Sequence, residues 1–127
     1  MSKKPTPMFE GIDTVIIRVS NYLLSKKWYE EKLGMEVIFD DHTSKLVVFD
    51  TGSPTSLTIW QTDEAIPPQK ERNSYPIFRT SDAAASRTEL AKKDVNVDEL
   101  VEAEGIKFYR FYDPDGNLFE ACEVLEE

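Results

Sequence analysis

The chain has 127 residues, a formal net charge of −9, 40% hydrophobic residues and 31% charged residues. This length suits one domain with its own core, and no apolar run approaches the roughly 18 residues that cross a bilayer, so we expect no membrane partner. The acidic balance, with no run rich in lysine or arginine, argues against a nucleic-acid partner, because phosphate binding needs a clustered basic surface.

The amino-terminal residues and the single cysteine indicate the compartment. Residues 1–8 carry two lysines and two prolines but no apolar stretch, which indicates a flexible tail rather than a signal peptide. Cys122 is the only cysteine, so no intrachain disulfide can form. A chain without disulfides suits a reducing environment, and we therefore expect a cytoplasmic protein.

The first half of the chain is predicted to contain a strand, a helix and three further strands. β-Branched and apolar residues predict a strand over 12–19, and the pair Ser20-Asn21 caps a helix over 22–33 that Gly34 can close. Leu24 with Trp28, and Tyr29 with Leu33, have the spacing of a buried helix face. The later strands are predicted over 36–39, 46–49 and 57–61, with turns at 41–44 and 51–54.

The second half repeats this order after a connector. Residues 63–73, with two adjacent prolines and mixed charge, are predicted to link the halves. A strand over 77–80 leads through Ser81-Asp82 to a helix over 83–93, whose apolar positions are Ala84, Leu90 and Ala91. The later strands are predicted over 99–102, 108–112 and 118–123, with a strong Asp-Pro-Asp-Gly-Asn turn at 113–117.

A weak internal repeat supports two related halves. Residues 13–33 placed on residues 74–94 share five identities in 21 positions. The identical pairs are Ile16 with Ile77, Arg18 with Arg79, Ser20 with Ser81, Ser25 with Ser86 and Lys32 with Lys93. We therefore predict an α+β fold in which two βαβββ repeats, over 9–62 and 74–124, form a single domain over 9–124.

Two motifs resemble those of a known family. Residues 25–35 (SKKWYEEKLGM) are similar to the helix signature of the vicinal-oxygen-chelate superfamily, which includes glyoxalases, bleomycin resistance proteins and extradiol dioxygenases. Residues 111–120 (FYDPDGNLFE) resemble its last hairpin. The resemblance implies that the curved mixed sheets of the two repeats form a cup that receives a small molecule, and that the chain pairs as a homodimer.

The resemblance also implies where a metal would bind. Family members commonly hold a divalent metal, such as Zn, Ni, Fe or Mn, on one side chain from the first strand and one from the last strand of each half. These positions correspond to Thr14, Thr58, Tyr75 and Glu120, of which only Glu120 is a good ligand. The single histidine, His42, lies in a predicted turn and is expected to face solvent. We therefore expect the usual metal site to be largely lost and no cofactor to be needed.

Strand alternation directs several cationic and aromatic side chains into the predicted cup. Arg18 and Arg79 occupy equivalent positions of the repeat, and Arg110 joins them if its neighbours fill the core. Guanidinium groups suit a carboxylate or phosphate, although these arginines could instead pair with acidic residues of either half. Trp60 and Tyr75 could form aromatic walls of the ligand site, or fill a core or dimer interface.

Three functional hypotheses follow. The first is a small-molecule binding protein, similar to the metal-free drug-sequestering members of the superfamily, with Arg18, Thr58, Trp60, Tyr75, Arg79 and Arg110 around an anionic ligand. The second is a metal-dependent glyoxalase-type lyase or isomerase, or a dioxygenase, that uses Glu120. The third is a non-catalytic regulatory or scaffold protein. The overall acidity would suit a cationic ligand, but a local arginine inside a cup outweighs surface charge that salt screens.

Overall fold

The structure is a computed structural model that describes residues 7–67 and 74–125. Most of the predicted tail, residues 1–6, and part of the predicted connector, residues 68–73, lie outside the described residues. No helix in the described ranges is long and apolar enough to cross a membrane.

The first half forms the predicted elements in the predicted order. Its strands make one sheet in the order β1-β4-β3-β2, with β1 parallel to β4 and the other pairs antiparallel. The helix α1 begins where predicted, because the side chain of Asn21 accepts a hydrogen bond from the N–H of Leu24, and it ends at Gly34, whose φ is 68°. The bounds are β1 (Thr14–Val19), α1 (Tyr22–Leu33), β2 (Glu36–Asp41), β3 (Leu46–Asp50) and β4 (Ser56–Gln61).

The second half follows the same plan with one addition. Its bounds are β5 (Ile77–Arg79), α2 (Ala83–Lys92), β6 (Asn96–Val97), β7 (Val101–Ala103), β8 (Ile106–Tyr112) and β9 (Leu118–Val124). The sheet order is β5-β9-β8-β6, and β7 also pairs with β8. The strand predicted over 99–102 is β7, which begins two residues later and ends one residue later, and β6 was not predicted. A two-residue strand shows no alternation in sequence, and only its pairing with β8 defines it.

The buried faces of the helices differ in part from the predicted ones. In α1 the buried residues are Tyr22, Ser25 and Tyr29, whose spacing of three and four residues makes one stripe against the first sheet. Leu24 lies off this stripe and its side chain is 56% exposed, so its predicted place in the core is wrong. A leucine at a helix surface carries the same pattern signal as one in the core, and only packing distinguishes the two.

In α2 the three apolar positions named above differ in burial. Ala83 and Leu90 are buried, whereas Ala84 and Ala91 are exposed. An alanine side chain has little apolar area to lose or gain, so its position in a helix says little about which face is buried.

The core lies where the helices pack against the sheets, and it is continuous across the halves. Tyr29 of α1 stacks on Phe49 of β3, with ring centroids 5.6 Å apart, and meets the edge of Phe119 of β9 at 6.1 Å. Phe119 in turn stacks on Phe78 and Phe111 of the second sheet. This chain of rings connects both repeats through one apolar core, in agreement with the prediction of a mixed α+β fold.

The Asp-Pro-Asp-Gly-Asn turn joins the halves by hydrogen bonds. The hydroxyl of Tyr29 and the amide Nδ2 of Asn117 both donate to Oδ2 of Asp113, at 2.7 and 2.9 Å. Asn117 Nδ2 also donates to the carbonyl of Arg18 in β1. Burial raises the pKa of Asp113, against the lowering effect of these bonds. The turn that marks the last hairpin is therefore also the polar joint between the repeats.

Candidate functional site

The two faces of each sheet differ in what covers them. In β1 the side chains of Ile17 and Val19 are buried in the core, whereas Ile16 and Arg18 are exposed on the opposite side. We call this side of each sheet the open face. Each half has one open face, and in the second half it is the side on which Arg110 and Glu120 pair across β8 and β9.

Two threonines make a hydroxyl pair on the open face of the first sheet. Thr14 Oγ1 and Thr58 Oγ1 are 2.8 Å apart, and Thr14 Oγ1 also donates to the carbonyl of Ser56 at 3.2 Å. The parallel pairing of β1 with β4 brings them together, because Thr14 lies opposite Ser56 and Ile16 opposite Thr58. Each hydroxyl is thereby already engaged in a hydrogen bond.

Arg18 and Trp60 form a stacked pair on the same open face. The guanidinium carbon lies 4.2 Å from the centroid of the indole ring, within the range of a cation–π interaction. Arg18 Nε donates to the carbonyl of Trp60 at 3.1 Å, and its Nη2 donates to the carbonyl of Gln61 at 3.0 Å. The backbone thus holds the guanidinium over an indole that remains 39% exposed.

Three residues form a looser cluster on the open face of the second sheet. Arg110 Nη2 donates to the hydroxyl of Tyr75 at 3.3 Å, and this hydroxyl donates to Glu120 Oε1 at 3.5 Å. Arg110 Nε lies 3.9 Å from the same oxygen, because Arg110 of β8 lies directly opposite Glu120 of β9 in the antiparallel pair. The Glu120 residue is only 7% exposed. All three distances are long, so these contacts are weak.

The residues at the family's metal positions do not fit a divalent cation. Thr14 and Thr58 supply neutral hydroxyls that bond to each other, and Tyr75 supplies a phenol. The one carboxylate, Glu120, already has the guanidinium of Arg110 beside it, which would repel a second positive charge. Within residues 7–67 and 74–125, no group of three or more His, Cys, Asp and Glu side chains is arranged to hold a metal.

The described contacts keep the predicted site residues in separate groups. Thr14 contacts Thr58, and Tyr75 contacts Glu120, but no described hydrogen bond or ion pair links one pair to the other. A cavity of about 660 Å³ beside β1 is lined by Arg18 and Tyr75 among others, and not by the threonine pair or Glu120. One chain by itself does not enclose all four positions in either of its two described cavities.

Arg79 and His42 lie in surroundings that the sequence did not indicate. Arg79 lines a larger cleft between the halves and contacts neither Arg18 nor Arg110. His42 is exposed in its turn, as predicted, but its Nδ1 contacts the hydroxyl of Tyr22. No sequence signal pairs residues this far apart, because the contact depends on how α1 crosses the sheet.

Comparisons with known proteins agree on one family. The model of the Glyoxalase/Bleomycin resistance protein/Dioxygenase superfamily matches residues 11–121. No curated protein sequence matches the chain. Among solved structures, a glyoxalase family protein from Enterococcus faecalis is 28% identical with a TM-score of 0.77, and the match covers 92% of this chain and 100% of that one.

Two further solved structures share the fold at lower identity. TnmS3, an antibiotic-binding protein from Streptomyces, is 22% identical with a TM-score of 0.76, covering 94% of this chain and 100% of that one. The fosfomycin resistance protein FosX from Listeria monocytogenes is 17% identical with a TM-score of 0.77, covering 93% of this chain and 96% of that one. At these identities the likeness establishes the fold alone.

Proposed function

Because the chain belongs to the glyoxalase/bleomycin resistance protein/dioxygenase superfamily, we propose that it binds a small organic anion against its open sheet faces without a resident metal. The observation that carries this proposal is the placement of two arginines beside aromatic rings, Arg18 on Trp60 and Arg110 on Tyr75. Each pair offers a positive charge next to a flat apolar surface. Such a combination suits a ligand that has an aromatic body and an acidic group.

The local charge balance supports an anion over a cation. The two clusters together hold two guanidinium groups and one carboxylate, Glu120, which lies against Arg110 at 3.9 Å. The clusters therefore keep a net positive charge, although the whole chain carries −9. Distant surface charges are screened over about 8 Å in physiological salt, so the charge beside the ligand decides the preference.

We further propose that a second copy of the chain completes the site. Three apolar side chains on or beside the open faces are exposed: Ile16 at 51%, Trp60 at 39% and Ile77 at 56%. A partner chain that covers the open faces would bury this surface. In a symmetric pair, the first-half cluster of one chain would lie against the second-half cluster of the other. The small molecule would then lie between the two chains.

Two probes that match in shape and differ in charge test this function. We expect 1-naphthoate to bind the full chain in isothermal titration calorimetry and 1-naphthylmethylammonium to bind much more weakly. Arg110→Gln should weaken naphthoate binding about tenfold, because a charge-assisted hydrogen bond is lost. Lys27→Gln, which removes a positive charge from an exposed position of α1, should leave binding unchanged.

Two results would contradict the proposal. Tighter binding of the ammonium probe would mean that the overall acidity of the chain, and not the arginines, selects the ligand. Naphthoate binding with the same affinity in Arg110→Gln would mean that the anion binds elsewhere on the chain.

A further inference from the structure

The side chain of Arg79 belongs to the open face of the second sheet. The parallel pairing of β5 with β9 sets Ile77 beside Glu120 and Arg79 beside Cys122. Residues that lie side by side in adjacent strands point to the same side of a sheet, and residues two apart in one strand do so as well. β5 is an edge strand, so Arg79 borders the larger cleft, but the register directs its side chain to the side of Glu120.

This open face carries few charges. Among the strand residues that the structure describes, the register places Arg79, Arg110 and Glu120 on it. The next charged pair of β8 and β9, Lys107 with Glu123, points to the opposite side, where Glu123 accepts a hydrogen bond from the first residue of α2. Because Glu120 already lies 3.9 Å from Arg110, the charge of Arg79 is not balanced on this face.

The guanidinium of Arg79 is available to a ligand. It is exposed, and within the described part of the chain it makes no hydrogen bond, ion pair or ring contact. Arg18 differs, because it donates to two backbone carbonyls, and Arg110 donates to the hydroxyl of Tyr75. A free guanidinium can hold a carboxylate through two parallel hydrogen bonds.

Arg79 and Arg110 lie at two ends of one stretch of this face. They are two strands and two residues apart, which places their Cα atoms roughly 12 Å from each other at ordinary strand spacing. Between them lie Ile77, which is 56% exposed, and the half-buried Cys122. Glu120 is also between them but is only 7% exposed. An aromatic body can therefore rest on Ile77 and Cys122 with one end toward each guanidinium.

We infer that the anion bound at the open faces carries two acidic groups at opposite ends of an aromatic body, one held by Arg110 and the other by Arg79. The inference rests on the function proposed above and adds to it the class of ligand and a residue that selects it. A ligand with one acidic group would leave the charge of Arg79 unmatched, whereas a dianion would match both guanidinium groups.

Two naphthalene acids test the inference in isothermal titration calorimetry of the full chain. 2-Naphthoate has one carboxylate, and naphthalene-2,6-dicarboxylate has a second one at the opposite end of the same rings. We expect the dicarboxylate to bind about tenfold more tightly, because it forms a second charge-assisted interaction.

Variants of Arg79 identify the group that holds the second carboxylate. Arg79→Gln should raise the dissociation constant of the dicarboxylate about tenfold and leave that of 2-naphthoate unchanged. Arg79→Lys should lose less, since it keeps the charge without the planar fork. Lys27→Gln removes the same charge from an exposed position of α1 and should leave both constants unchanged. In sedimentation velocity, Arg79→Gln should behave as the wild type does.

Several results would overturn the inference. They are equal binding of the two acids by the wild type, an equal loss of both in Arg79→Gln, and an unchanged affinity of this variant for the dicarboxylate. A wild-type dimer that Arg79→Gln converts to a monomer would also overturn it, since Arg79 would then hold the partner chain. The function proposed above survives these results if 2-naphthoate binds and Arg110→Gln weakens that binding. If neither acid binds the wild type, both proposals fail.

Discussion

At the scale of single residues, Asp113 couples the two repeats through one carboxylate. Its Oδ1 accepts from the backbone N–H groups of Asp115 and Asn117, and its Oδ2 accepts from Tyr29 and from the Asn117 side chain. Four donors converge on a group that is only 5% exposed. Burial nevertheless outweighs these bonds and raises the pKa of Asp113 above its ordinary value of 3.8.

The direction of the pKa shift determines how acid acts on this joint. A carboxyl with a raised pKa in the folded state binds its proton at a higher pH than in the unfolded chain. Between the ordinary value of 3.8 and the raised value, the folded chain therefore holds more protons than the unfolded chain. The contribution of Asp113 to the free energy of unfolding consequently rises as the pH falls through this window, and it is lowest at neutral pH.

We predict that Asp113→Asn destabilises the chain and removes this pH dependence. At neutral pH the loss should be about 2 kcal/mol, since an amide nitrogen cannot accept the bonds from Tyr29 and Asn117. Urea unfolding of both proteins from about pH 7 to about pH 4 should give a difference in unfolding free energy that grows toward acid. A difference that shrinks toward acid would contradict the prediction. Asp63→Asn, which alters an exposed carboxylate outside this turn, serves as the control.

At the scale of secondary-structure elements, local residues determine where α1 begins and ends. Asn21 caps its first turn, and Gly34 ends it in the left-handed region at φ 68°. A Cβ atom added at Gly34 would meet nothing within 4 Å, so any cost of substitution there comes from the backbone alone.

We predict that Gly34→Ala lowers the free energy of unfolding by about 1 kcal/mol, because alanine pays the steric cost of a positive φ. Gly34→Asn should lose less, since asparagine tolerates this conformation better than alanine. Chemical denaturation of the two variants measures the difference. Equal losses in both would show that the cost has another origin.

The same elements mark how far sequence reasoning extends. The bounds of α1 were predicted correctly because its cap and closing glycine act within a few residues. The exposure of Leu24 and the existence of β6 were not predicted, because both depend on partners in other elements. A pattern within a helix reports one apolar stripe, but only the sheet that packs against it selects among neighbouring stripes.

At the scale of the whole molecule, the open faces connect the proposed ligand binding with the proposed dimerisation. They hold the threonine pair, the Arg18 and Trp60 stack and the Glu120 cluster, in separate halves of the chain. If a second copy brings these groups together, ligand binding and dimerisation depend on the same surface, and a change that prevents one should weaken the other.

We predict that Ile16→Glu converts a dimer into a monomer and weakens binding of 1-naphthoate, because it places a charge among the exposed apolar side chains of the open face. Sedimentation velocity measures the first effect and calorimetry the second. Leu24→Glu is a matched control, since Leu24 is similarly exposed but lies on α1, away from the open faces. A wild-type chain that sediments as a monomer, or an Ile16→Glu variant that remains a dimer, would contradict the prediction.

The amino-acid sequence by itself determined the two-repeat plan, the order of nearly all elements and the superfamily, because caps, turns and strand patterns act over short stretches of chain. Through the resemblance of two motifs to a known family, it also indicated Thr14, Thr58, Tyr75 and Glu120 as the positions equivalent to the family's metal ligands. Only the tertiary structure decided what each side chain contacts. Arg18 lies on Trp60, and Arg79 lines the cleft, because such contacts depend on strand register and on how two sheets pack across a shared core.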